Sequence, residues 1–182
     1  MFPVTLRGQR VTLREFTAED FPAVHSYGGD PEVTRYTLWG PNEPEDTRGF
    51  LAWAMQSARA EPRTDYSLAA QVDGELVGGA HLAILSGVHA AGDIGYVLRR
   101  DRWGEGLAQE AARLVLRLGF QELGLHRVQA TCDPQNAASR HVLERIGMRQ
   151  EGHLRENFLV RGRWRDSLLY AVLRGEWEAD LR

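Results

Sequence analysis

The chain contains no lysine: all 22 of its basic residues are arginine. That absence removes two large classes of enzyme at once. A pyridoxal-phosphate enzyme needs a Schiff-base lysine, and a phosphate-binding P-loop needs its Gly-Lys-Ser/Thr. The one cysteine, Cys132, cannot close an internal disulfide or build a multi-cysteine metal site. HExxH and cysteine–histidine clusters are missing, so no metal is expected. Gly-x-Ser-x-Gly is missing too, which leaves no nucleophile elbow for a covalent acyl-enzyme. No apolar run is long enough to span a bilayer, and the first residues lack the basic-then-apolar order of a secretion signal. No membrane partner is therefore expected, and the cytoplasm is the expected location. A net charge of −3 gives no reason to expect a nucleic-acid partner.

What is present reads as one globular domain spanning 1–182. At 43% hydrophobic and 26% charged residues, the chain has the makings of an ordinary core. Val11 to Phe16 alternates like a strand, and Thr17 with Asp20 makes a capping-box-like helix start. Asp46 is expected to cap a helix carrying Phe50, Leu51, Trp53 and Ala54. Tyr66–Gln71 and Leu76–Leu85 flank Asp73-Gly74, a strong hairpin signal. Ile94 to Leu98 is the next strand. Leu107, Ala111, Leu114, Val115 and Leu118 then mark one face of a helix, which Gly124 terminates. Arg127–Cys132 forms a strand, a helix runs from Asn136 to Gly147, and two strands near 152–160 and 165–173 finish the chain. The pattern is α/β, with a parallel strand–helix–strand unit at its centre.

The informative stretch is Tyr96-Val97-Leu98-Arg99-Arg100-Asp101-Arg102-Trp103-Gly104-Glu105-Gly106-Leu107-Ala108. A strand runs into a loop with two glycines, and the loop opens a helix. Backbone N–H groups there can approach an anion, and a helix N-terminus adds roughly half a positive charge. The bland alternative is a tight turn with solvated arginines. A dinucleotide fold would need a third glycine where Gln109 stands, and it is rejected. A second cluster, Asp133 to Arg140, follows the next strand and should face the loop across the carboxyl end of the sheet. Within it Asn136 is an excellent helix N-cap in its own right.

In this order, with Leu13-Arg14-Glu15-Phe16, Leu125-His126-Arg127-Val128, Gly147-Met148 and the tail Gly162 to Tyr170, the chain resembles the GNAT N-acetyltransferase superfamily. More narrowly it is similar to the ribosomal-protein-alanine (Rim-type) subgroup. The resemblance implies a mixed sheet of about seven strands, with helices on both faces and a central splay that admits acetyl-CoA. It implies that amides from Gly104 to Ala108 hold the pyrophosphate and that the Tyr96–Leu98 edge pairs with the pantetheine arm. Arg99, Arg102, Trp103 and Glu105 belong to the same co-substrate site. A backbone N–H near Val97 or Leu98 would polarise the thioester carbonyl. Asn136 would bond the pantetheine, and Ser139 would protonate the departing thiolate.

Two departures from the family pattern stand out. Asp101 replaces the Gln or Arg that commonly opens the pyrophosphate loop, and Leu143 replaces a tyrosine that many members use as the acid. For the general base the candidates are Asp93, Glu156, His153 and bulk water. His81 and Cys132 read as packed residues, and Arg155, Arg161, Arg163 and Arg165 read as a solvated basic face. The acceptor is expected to be a primary amine, either a protein N-terminus or a small molecule such as a polyamine, antibiotic or amino acid. A non-catalytic CoA sensor and a domain that has lost CoA are the competing classes. A homodimer is an open assembly.

Overall fold

A computed structural model describes residues 2–180, apart from the side chain of Asp180. Strands β1 (Thr5–Arg7), β2 (Val11–Glu15), β3 (Asp65–Val72), β4 (Glu75–Ser86), β5 (Ala91–Leu98), β6 (Arg127–Cys132), β7 (Arg149–Val160) and β8 (Arg163–Leu173) form one sheet, ordered β1-β2-β3-β4-β5-β6-β8-β7. All neighbours are antiparallel except β5 and β6. The helices are α1 (Phe21–Gly28), α2 (Pro44–Ala58), α3 (Leu107–Arg117), α4 (Ala137–Arg145) and α5 (Arg174–Asp180). None is long and apolar enough to cross a membrane.

Period-two alternation divides the core between the two faces. Leu68, Ala70 and Val72 of β3 pack with Leu107, Ala111 and Val115 of α3, Leu143 of α4 and Trp177 of α5. Ala69, one residue over, packs with Val24 and Tyr27 of α1 and Leu51 and Ala54 of α2. A one-residue slip would exchange these sets, so burial fixes the register. The apolar stripe on α3 explains its burial against the sheet, and a π-helical turn at Leu118–Glu122 extends it.

The β3–β4 turn is the one the sequence calls for, with φ of 51° at Asp73 and 82° at Gly74. Three details differ from expectation. The sheet has eight strands, because the short β1 pairs with β2. The N-cap of α2 is Glu43, and Asp46 is its N3 partner, its Oδ2 accepting the Glu43 N–H at 2.9 Å. The terminal helix α5 was not expected; it docks through Trp177, whose ring lies 5.3 Å from Phe120.

Candidate active site

The parallel pair β5–β6 holds together over three positions only, Ala91↔Arg127, Gly92↔Val128 and Asp93↔Gln129. Beyond Asp93, β5 stays paired with β4 up to Leu98 but has no partner in β6. The sheet therefore opens into a V with Asp93 at its apex. Arg99 N–H donates to Val77 O at 2.8 Å, continuing the β4–β5 ladder. Alternation along an antiparallel strand then turns Val97 toward β4 and the backbones of Tyr96 and Leu98 toward the opening. Of the two amides considered for a thioester carbonyl, Leu98 is the one on the open side. Its carbonyl accepts the Trp103 Nε1–H at 2.9 Å, so the half-exposed Trp103 braces the loop that follows.

That loop turns through Arg100–Arg102 and reaches α3 by way of Gly104 and Gly106, at φ of 79° and 77°. L-residues pay for this left-handed geometry, which is why glycine stands at both places. A Cβ at Gly104 would meet nothing within 4 Å, so the backbone there lies bare. Arg10 Nη2 donates to Glu105 O at 2.7 Å and ties the loop to the β1–β2 turn. Leu107 is buried in the core, and Ala108 follows it in the first turn of α3.

Each loop arginine has a carboxylate. Arg99 meets Asp101 and also Glu75, Arg102 meets Glu75 and Glu105, and Arg100 meets Asp30. The Asp101 and Glu75 carboxylates hold the Arg99 guanidinium well above its ordinary pKa, and Arg99 in turn lowers Asp101. Asp101 is thus turned onto its own arginine, which answers how an acid can sit at this position.

At the start of α4, Asn136 is the N-cap: its Oδ1 accepts the Ser139 N–H at 3.0 Å. Ser139 is half-buried, and its Oγ lies 3.1 Å from the Tyr96 hydroxyl. Tyr96 also donates to Ser139 O at 3.1 Å. Burial raises the Tyr96 phenol above its ordinary value and pushes the nearby Cys132 thiol up to about 11.

On the opposite face, Gln129 Nε2 donates to Asp93 Oδ2 at 3.4 Å. Burial raises the Asp93 carboxyl, while nearby His81 and the Gln129 bond pull the other way. His81 stands opposite Gly95, where a Cβ would come within 2.9 Å of its Nδ1. Asp93 and His81 therefore share one face as diagonal cross-strand neighbours. Of the other two base candidates, His153 has its Nε2 on Asp166 Oδ2 at 2.7 Å, while Glu156 meets Asp166 through its backbone N–H, at 2.8 Å, and not through its carboxylate. The basic face is only partly solvated. Arg161 donates to the carbonyls of Thr34, Trp39 and Gly40, and Arg165 to Arg35 O.

The family model for the Acetyltransferase (GNAT) domain matches residues 10–149. The chain belongs to the GNAT acetyltransferase family. As a member it is an N-acetyltransferase, and its mixed sheet and helices are those of the family. It is 32% identical to an uncharacterized N-acetyltransferase, YnaD, of Bacillus subtilis (strain 168), over 93% of this chain and 96% of that one. It is 25% identical to the spermidine N(1)-acetyltransferase of Escherichia coli (strain K12), over 93% of this chain and 89% of that one. The structure superposes on Mycobacterium smegmatis RimJ in complex with CoA-disulfide with a TM-score of 0.84, at 26% identity, covering 100% of this chain and 96% of that one.

For this GNAT chain the geometry fits an acyl-CoA: an unpaired strand edge at Tyr96 and Leu98 leads to two αL glycines at a helix N-terminus, Gly104 with open space around it and Gly106 beside Arg10. Sequence reasoning missed the side-chain partners that shape this site. Glu75, Asp30 and the Tyr96 hydroxyl all reach it across long separations, and local patterning carries no signal for such contacts.

Proposed function

We propose that the protein transfers the acetyl group of acetyl-CoA to a primary amine by direct attack, as one catalytic domain of the Rim-type subgroup. The observation that carries this reading is the V between β5 and β6, which exposes the Tyr96–Leu98 edge beside the glycine loop. Acetyl-CoA supplies the activated thioester; this chain's residues bind, orient and move protons. The amides from Gly104 to Ala108 hold the pyrophosphate at the helix N-terminus. Arg99 and Arg102 exchange part of their carboxylate contacts for phosphate. The Leu98 N–H stabilises the developing oxyanion, a contribution of about 3–4 kcal/mol for one such donor.

Asp93 takes the proton of the incoming ammonium. Its burial raises its proton affinity, and it stands at the apex of the V, the last residue of β5 paired with β6. An α-amine, with a pKa near 8, needs less help than an alkyl amine near 10.4. Ser139 gives its proton to the departing thiolate, a step typically worth ~10²–10⁴-fold. Asn136 fixes the first turn of α4 on which Ser139 stands.

A protein N-terminus is the first acceptor proposed, on the resemblance of the sequence to the ribosomal-protein-alanine subgroup. A small polyamine is the second, favoured by the match to the spermidine enzyme along nearly the whole chain. Thiol release from acetyl-CoA, measured against N-terminal peptides and spermidine, tests the reading. Release with one class of acceptor supports it and selects the substrate; a bound acetyl-CoA with no release on any primary amine overturns it.

A further inference from the structure

Tyr96 does more than lend its backbone to the strand edge. Its ring leaves β5 on the α3–α4 face, and its hydroxyl meets two oxygens of one residue, Ser139 O and Ser139 Oγ, both at 3.1 Å. These are contacts across the V, between the splayed strand and the first turn of α4. A phenol has one proton to give. When it donates to Ser139 O, the phenol oxygen is free to accept from the Ser139 hydroxyl, and the serine rotamer is held toward β5. When the phenol turns to Ser139 Oγ instead, the serine proton is released toward whatever else lies in the cleft. The two acceptors therefore form a switch of hydrogen-bond direction, with Ser139 Oγ either donor or acceptor.

The surroundings keep this pair neutral. Tyr96 is partly buried, and the desolvation holds the proton on its oxygen, while Cys132 beside it stays a thiol. A tyrosine so placed keeps its own proton, and its hydroxyl lies 3.1 Å from Ser139 Oγ. It is a permanent hydrogen-bond donor to a serine oxygen that must briefly carry negative charge.

We propose that Tyr96 is the positioning residue of the acid step: its hydroxyl sets the rotamer of Ser139 and then supports the Ser139 oxygen as the serine proton moves to sulfur. The inference rests on the acid role proposed for Ser139. In the step the Ser139 Oγ–H bond breaks, an S–H bond forms on the leaving CoA, and the O–H electron pair stays on Oγ. The Tyr96 O–H bond remains intact while its hydrogen bond moves from Ser139 O to Oγ. Solvent returns a proton to Oγ once the thiol has left.

The test is a double-mutant cycle of Tyr96→Phe and Ser139→Ala, with kcat at saturating acetyl-CoA and acetyl-CoA Kd measured for all four proteins. The phenylalanine keeps the ring and removes only the hydroxyl. The expected result is a fall of about tenfold in kcat for Tyr96→Phe, Kd within about twofold, and almost no further loss when it is added to Ser139→Ala. Equal losses in both serine backgrounds, or a loss confined to Kd, would mean a structural strut and overturn the proposal. Full turnover by Ser139→Ala overturns the acid reading itself. A slow Ser139→Ala with a fast Tyr96→Phe overturns only the role of Tyr96.

Discussion

Arg99 and Asp101 meet end on, Nε to Oδ1 at 2.6 Å and Nη2 to Oδ2 at 2.9 Å, while Glu75 holds the same guanidinium from the start of β4. The acid at this unusual position thus spends its charge on its neighbour instead of on an arriving phosphate. The pair is exposed, and exposed ion pairs contribute little. Asp101→Asn is therefore expected to leave the acetyl-CoA Kd within about threefold, as read by calorimetry. A tenfold weakening would show that the pair organises the loop.

The glycines should matter far more. At φ of 77° Gly106 sits where a Cβ costs about 1–2 kcal/mol. Gly106→Ala should weaken acetyl-CoA binding by about tenfold, or lower the melting temperature by about 2–4 °C for each kcal/mol of strain the free protein retains. A variant with both quantities unchanged would contradict the proposed cradle.

Asn136 offers a way to separate capping from ligand binding. Its Oδ1 caps α4, so Asn136→Ala should cost about 1 kcal/mol in urea unfolding, and Asn136→Asp, an equally good cap, almost nothing. If the Asn136 amide also meets the pantetheine, the aspartate variant keeps its stability and loses acetyl-CoA affinity.

For Asp93 the sign of the pH effect is fixed by its environment. Burial raises its pKa above the ordinary 3.8, so the native state binds a proton more tightly than the unfolded chain. Its contribution to stability is full below the ordinary value and is lost as pH rises through the raised folded value. Asp93→Asn should therefore melt higher than the parent at pH 7 and lose that advantage in acid. As the proposed base its loss should cut kcat by about 10²-fold and remove the acidic limb of kcat/KM. A variant with an unaltered pH–rate profile would move the base to Glu156, His153 or solvent.

Much of this arrangement is legible in the sequence where local physics dominates. Asp73-Gly74 dictates its turn, Arg127–Cys132 is a strand with the bounds its alternation suggests, and Asn136 caps where a good cap stands. The first residues of β5, Ala91-Gly92-Asp93, are poor strand formers; pairing on both sides makes them a strand. The short β1 is extended because β2 offers an edge. Glu75 and Asp30 on the loop arginines and the tyrosine hydroxyl on Ser139 are products of topology, joining residues far apart in the chain. Arg161 shows the same limit, a residue from the hairpin tip closing over the carbonyls of the 34–40 loop.

Acetyl-CoA must lie in the V between β5 and β6, and calorimetric titration of the protein with acetyl-CoA tests that most directly. One molecule bound per chain, with affinity reduced in Gly106→Ala and retained in Ser139→Ala, is the predicted result. No heat of binding at any concentration, by a protein shown to be folded, would contradict it.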